Sequence, residues 1–156
     1  MLRTIGLELK EHIPFSLLGA ATGIVIMTVI VIAGIPATAS EETFWVLHPA
    51  HVLLSALTTT AMYRRHCRAS LLATVLVGYV GSVGIATLSD SLIPYLGEAL
   101  LGLPNRGMHV GFIERWWLVN PLAAAGIILG YLRPTTKMPH AGHVLLSTWA
   151  SLFHIV

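Results

Sequence analysis

The sequence predicts an all-α integral membrane protein of about five transmembrane helices, built from a duplicated two-helix unit around a broken middle helix. Three observations carry this. Hydrophobic residues make up 55% of the 156, charged residues only 10%, and the mean hydropathy is +0.78. A water-soluble domain carries about 25% charge, so this chain lacks the charge to cover a water-facing surface. The apolar residues fall into long runs separated by short polar turns. The pattern His-x-x-His-Val-Leu-Leu-Ser occurs twice, at His48–Ser55 and again at His140–Ser147.

Residues 1–12 are polar enough to lie on a membrane surface. From Ile13 to Ile35 no charge occurs, about the 20 residues that a spanning helix needs. Ala37-Thr38-Ala39 resembles a signal-peptidase site, but the apolar run is long for a signal segment and the residues before it carry no net positive charge. The run is therefore expected to be an uncleaved first span. Gly19 and Gly23 form a GxxxG face for close helix packing. An acidic loop with Glu41 and Glu42 follows, then Trp45 at an expected interface and a second span over about 46–63. That span stops at Arg64-Arg65-His66-Cys67-Arg68, the strongest cytoplasmic marker in the chain. Two spans separate it from the N-terminus, which is therefore expected to be cytoplasmic, with the protein in the cell membrane.

Residues 70–103 carry only two charges, Asp90 and Glu98, over about 34 positions, too many for one span and too few for two. Gly78, Gly81 and Gly84 suit tight packing, and Ser89-Asp90-Ser91 followed by Pro94 predicts a break. A single crossing with a re-entrant turn near Asp90 gives five spans; a hairpin there gives six. After a loop containing His109, Trp116-Trp117 mark another interface, a span runs over about 118–132, and a last apolar segment begins at His140.

The repeat extends beyond its histidines. Pro14-x4-Gly19-x3-Gly23 in the first span matches Pro121-x4-Gly126-x3-Gly130 in the fourth. The chain then forms a single membrane domain, with unit one over about 12–66, a middle element over about 70–104 and unit two over about 116–156. With five spans the units point in opposite directions, an architecture familiar in transporters. With the hairpin they are parallel, and both His pairs and Asp90 lie at one outer level. Basic residues cannot separate the two. Arg3, Lys10, Arg64, Arg65 and Arg68 are inside in both, joined by Arg133 and Lys137 in one case and by Arg106 and Arg115 in the other.

Two histidines three apart share a helix face, and an ionisable residue within a membrane span is a functional candidate. The metal-ligand set read from the sequence is His48, His51, His140, His143, Asp90 and Glu98. Neutral imidazoles with carboxylates suit a divalent ion such as zinc, iron, nickel or copper. Both His pairs fall at predicted helix starts, where the positive dipole end keeps imidazole neutral. Haem is a weaker variant, based on His140 and His154 lying 14 residues apart.

Three function classes follow. The first is a transporter or channel for a divalent metal cation, in which these residues are transit ligands. The second is a membrane-embedded metalloenzyme with a metal-bound water. The third is a structural subunit whose histidines bond to headgroups or carbonyls. Asn120 is expected to cap its helix, Trp149 to pack inside the bundle, and Ser55 and Ser147 to bond to neighbouring helices. Cys67, the only cysteine, reads as a passive loop thiol, so no internal disulfide or cysteine metal cluster can form. The expected partners are membrane lipids and a second copy of the chain through the GxxxG faces. Nothing suits nucleic acid.

Overall fold

The structure, a computed structural model, describes residues 2–67, 70–103, 106–133 and 137–155; the side chains of 2–9, 11, 12, 37, 137–141 and 155 lie outside that description. The described residues form six helices: α1 (Leu2–Ala33), α2 (Ala37–His66), α3 (Leu71–Leu101), α4 (Gly111–Glu114), α5 (Trp116–Leu132) and α6 (Lys137–Ile155). Two segments are long and apolar enough to cross a membrane, Ile13–Ala33 and Leu71–Leu101. Their large apolar side chains face outward, among them Leu17, Val31, Ile32, Leu72 and Leu100, while Thr74, Ser82, Asp90, Ser91 and Glu98 are buried. This polarity is the reverse of a water-soluble domain's and suggests membrane association.

Glycine ends both of these helices. Gly34 (φ 63°) and Gly102 (φ 67°) adopt the left-handed conformation, and the following amides close back on Ile30 O and Glu98 O, the Schellman pattern. Ser70 caps the start of α3 by accepting the Ala73 amide at 3.2 Å.

The middle stretch is one helix, roughly 46 Å long at the α-helical rise, which corrects the expected break and re-entrant turn at Ser89-Asp90-Ser91. Instead of breaking, α3 widens into two π-helical segments, Val80–Gly84 and Leu88–Leu92. The second absorbs Pro94, which has no N–H to offer the Ser89 carbonyl five residues back. Ser151 Oγ on α6 donates to that carbonyl at 2.8 Å instead. The second span also differs from expectation, because α2 begins at Ala37 and takes in the acidic loop. His48 and His51 therefore sit in the helix interior, and the dipole argument does not apply to them.

The repeat is visible in the packing. Gly19 and Gly23 of α1 lie against Thr148, Trp149 and Leu152 of α6. Gly126 and Gly130 of α5 lie against Leu53, Ala56 and Leu57 of α2. Each GxxxG helix thus packs on the HxxH helix of the other unit, in matching register: Thr148 is the repeat equivalent of Ala56, and Trp149 of Leu57. Both GxxxG faces are filled from within the chain.

The two HxxH helices cross antiparallel. Phe44 of α2 meets His154 of α6, His51 meets His143, and Leu54 meets Gly142. The units are therefore inverted, not parallel. Val52, Val83, Ala86, Val119 and Ala123 form one apolar core beside this crossing, and Phe44, Trp45 and Ala150 form another. Trp45 is buried there rather than at an interface.

Candidate functional site: a buried carboxylate between two imidazoles

Asp90 is fully buried and receives four hydrogen bonds. His48 Nδ1 and His51 Nδ1 donate to Oδ2 at 3.0 and 2.7 Å. Ser89 Oγ and Ser147 Oγ donate to Oδ1 at 2.6 and 2.9 Å. Three elements converge here. The i, i+3 spacing on α2 puts both imidazoles on one face, the π segment of α3 turns Asp90 toward them, and α6 brings Ser147 across from the other unit. A buried ionised carboxylate costs several kcal/mol unless it is paired, and a hydrogen bond to a charged group contributes about 1.5–3 kcal/mol, so these four donors can hold the anion. An ionised carboxylate only accepts. Each imidazole therefore carries its proton on Nδ1, and in the neutral ring Nε2 keeps the lone pair.

The surroundings restrain the rings. His48 stacks on Phe44 with centroids 5.3 Å apart and planes 15° from parallel. Its Nε2 lies against Gly111, where an added Cβ would come within 2.4 Å. His51 stacks on His143, the equivalent residue of the second copy, at 6.0 Å and 8°.

Of the six residues expected to ligate metal, the structure brings His48, His51 and Asp90 into direct contact and places His143 beside them. The side chain of His140 lies outside the described residues. Glu98 stands apart, two turns further along α3 and about 12 Å from Asp90 at the helical rise. It is bonded by His154 Nδ1 at 2.8 Å. Among the described residues no three His, Cys, Asp or Glu side chains are arranged to hold one metal ion.

Ser147 makes the interhelical bond expected of it. Trp149 does pack inside, with Nε1 donating to Thr22 Oγ1 at 3.0 Å. Asn120 does not cap: α5 begins at Trp116, and Asn120 accepts from Tyr79 Oη at 2.9 Å and donates to Phe112 O at 3.4 Å. Sequence reasoning missed the parts played by Ser89, His109, Gly111 and Phe44. Only Ser89, next to Asp90 in the apolar stretch, carried a local signal. Comparisons with family models, curated proteins and solved structures found no match.

Proposed function

We propose that the chain is a transporter or channel for a divalent metal cation, with Asp90, His48 and His51 as the transit site. In this reading the bundle crosses the cell membrane five times with its N-terminus cytoplasmic. The observation that carries the proposal is the fully buried, four-fold bonded Asp90 where two inverted repeat units cross. Charge inside an apolar bundle is costly to keep and marks ion pathways, and inverted repeats meeting at a central site are a transporter architecture. Further support comes from Ser91, Thr58 and Thr60, buried hydroxyls with no hydrogen-bond partner among the described residues. Thr58 lies two turns beyond His51 on the same face of α2, toward the basic Arg64 end.

The site suits passage more than storage. The site offers one carboxylate and two imidazoles. The contacts of 2.7–3.0 Å are hydrogen bonds that an arriving ion must displace. Conduction needs binding strong enough to admit the ion and weak enough to release it. The test is zinc or cobalt flux in proteoliposomes, wild type against Asp90→Asn. Flux lost in a variant that keeps its helical content and detergent elution volume supports the reading; equal flux, or none in the wild type for any divalent ion, ends it.

A further inference from the structure

Two turns from Asp90, at the opposite end of α2 from Arg64, a second set of imidazoles and carboxylates comes together from three segments. Glu98 on α3 is 3% exposed and accepts from His154 Nδ1 of α6 at 2.8 Å and from the Gly107 amide at 3.3 Å. The His154 side chain is 1% exposed, and its Nε2 is buried with no hydrogen-bond partner among the described residues. His109, in the loop before α4, donates from Nδ1 to Glu114 Oε2 at 3.1 Å. Its Nε2 end lies toward Gly107, where an added Cβ would be 3.3 Å away. Gly107 is the residue whose amide holds Glu98.

Both rings thus have the same arrangement, with Nδ1 on a carboxylate and Nε2 left over. That is how metal-binding histidines are usually held: the carboxylate fixes the tautomer, orients the ring and raises its basicity. The spacing is also right. A ring centroid lies roughly 3.2 Å from an ion bound to its nitrogen, so two imidazoles on one tetrahedral ion have centroids about 5.2 Å apart. The His109 and His154 centroids are 5.3 Å apart, with planes at 65°. Aromatic packing alone would explain the contact with Phe44, but it leaves the buried Nε2 of His154 without a purpose.

We propose that His109 and His154, held by Glu114 and Glu98, form a second cation station for a borderline-soft dication of the zinc, cobalt or copper kind, with water or the ion's own ligands completing its shell. Phe44 links it to the Asp90 centre, lying edge-on to His154 at 5.3 Å and stacked on His48 at 5.3 Å. As a station on the path, it rests on the transport reading above; as a metal site, it stands alone.

Cobalt(II) is the probe, titrated into the full chain in lipid nanodiscs and followed by the visible bands of tetrahedral cobalt. The proposal expects the wild type to give these bands. His109→Gln and His154→Gln should each weaken binding at least about 100-fold. Glu114→Gln should weaken it about tenfold, the lower end of what outer partners of metal-bound histidines contribute. His109 is on a partly exposed loop, so its variant remains informative if His154→Gln fails to fold. Unchanged binding in His109→Gln, or no tetrahedral cobalt in the wild type, overturns the site. Cobalt binding that depends on His109 in a protein that moves no cobalt would retire the transport reading and keep the site. Cobalt flux that needs Asp90, with binding indifferent to His109, would do the reverse.

Discussion

The two HxxHVLLS copies present the same eight-residue pattern to the same aspartate and give it different atoms. The first copy offers two imidazoles, His48 and His51; the second offers a hydroxyl, Ser147. The antiparallel crossing explains this. With His51 level with His143, the first residue of one motif faces the last residue of the other, so His48 and Ser147 stand together. Only one aspartate is available, and it lies on the His48 side. A pattern that recurs in the sequence becomes asymmetric in chemistry because the element between its two occurrences has no symmetry of its own.

Breaking the shared partner should have the largest effect. Asp90→Asn removes the charge that four donors converge on, and losing one member of a buried ionic network costs about 3–5 kcal/mol. Flux should fall about 100-fold or more, which a stopped-flow assay on proteoliposomes would detect. A fall of less than about threefold, compared at roughly 0.6 kcal/mol of thermal energy, would remove Asp90 from the pathway.

The two glycine pairs sharpen the contrast next. An added Cβ at Gly126 or Gly130 would lie 2.3 Å from the backbone carbonyl of Leu53 or Leu57, which cannot move aside. At Gly19 the nearest atoms, at 3.0 Å, belong to the Thr148 side chain. Gly126→Ala should cost about 2–3 kcal/mol of stability, at the upper end of the overpacking range. Gly19→Ala should cost under about 1 kcal/mol. Thermal unfolding in mild detergent orders them; equal losses would mean that the α2–α5 contact is not backbone to backbone.

The serines test the asymmetry directly. Ser147→Ala deletes a hydrogen bond to a charged group and should cost about 1.5–3 kcal/mol, with a matching loss of flux. Its equivalent Ser55 makes no bond to a carboxylate among the described residues, so Ser55→Ala should stay within about 0.5 kcal/mol. If the two serines respond alike, the copies are equivalent in solution and the one-sided centre is wrong.

The mildest perturbation is pH. Imidazole binds a metal only as the neutral ring, and free imidazole titrates near ~6.5. Lowering pH through that value on both sides of the membrane should therefore reduce flux progressively, and raising it should restore flux. A rate unchanged down to about pH 5 would show that carboxylates alone handle the ion.

Several features were legible because they depend on short-range pattern. Apolar runs and sparse charge announced helices with an apolar exterior. A spacing of three put His48 and His51 on one face, and an aspartate in such a run had to find partners inside. Other features were not legible. Where Pro94 offers no N–H, the Ser89 carbonyl at the second π segment finds the Ser151 hydroxyl, distant in sequence. Local rules for Ser-Asp-Ser and Pro saw only the breaker. Pro94 midway between Asp90 and Glu98 predicts a broken helix that aims both at one cavity, yet His154 on α6 and Gly107 in a loop claim Glu98.

By itself, then, the sequence determined the all-α class, the recurrence of the HxxHVLLS pattern and the residue types that carry charge among the apolar runs, because periodicity and transfer free energy act along the chain. Tertiary structure alone decided that α2 and α6 run antiparallel, that each glycine pair packs on the other HxxH helix, and that the candidate ligands with described side chains separate into a buried Asp90 centre and a Glu98 centre near the start of α2. Those outcomes turn on which helix meets which and in what direction, and that is set by packing between segments about 100 residues apart, beyond the range of any local pattern.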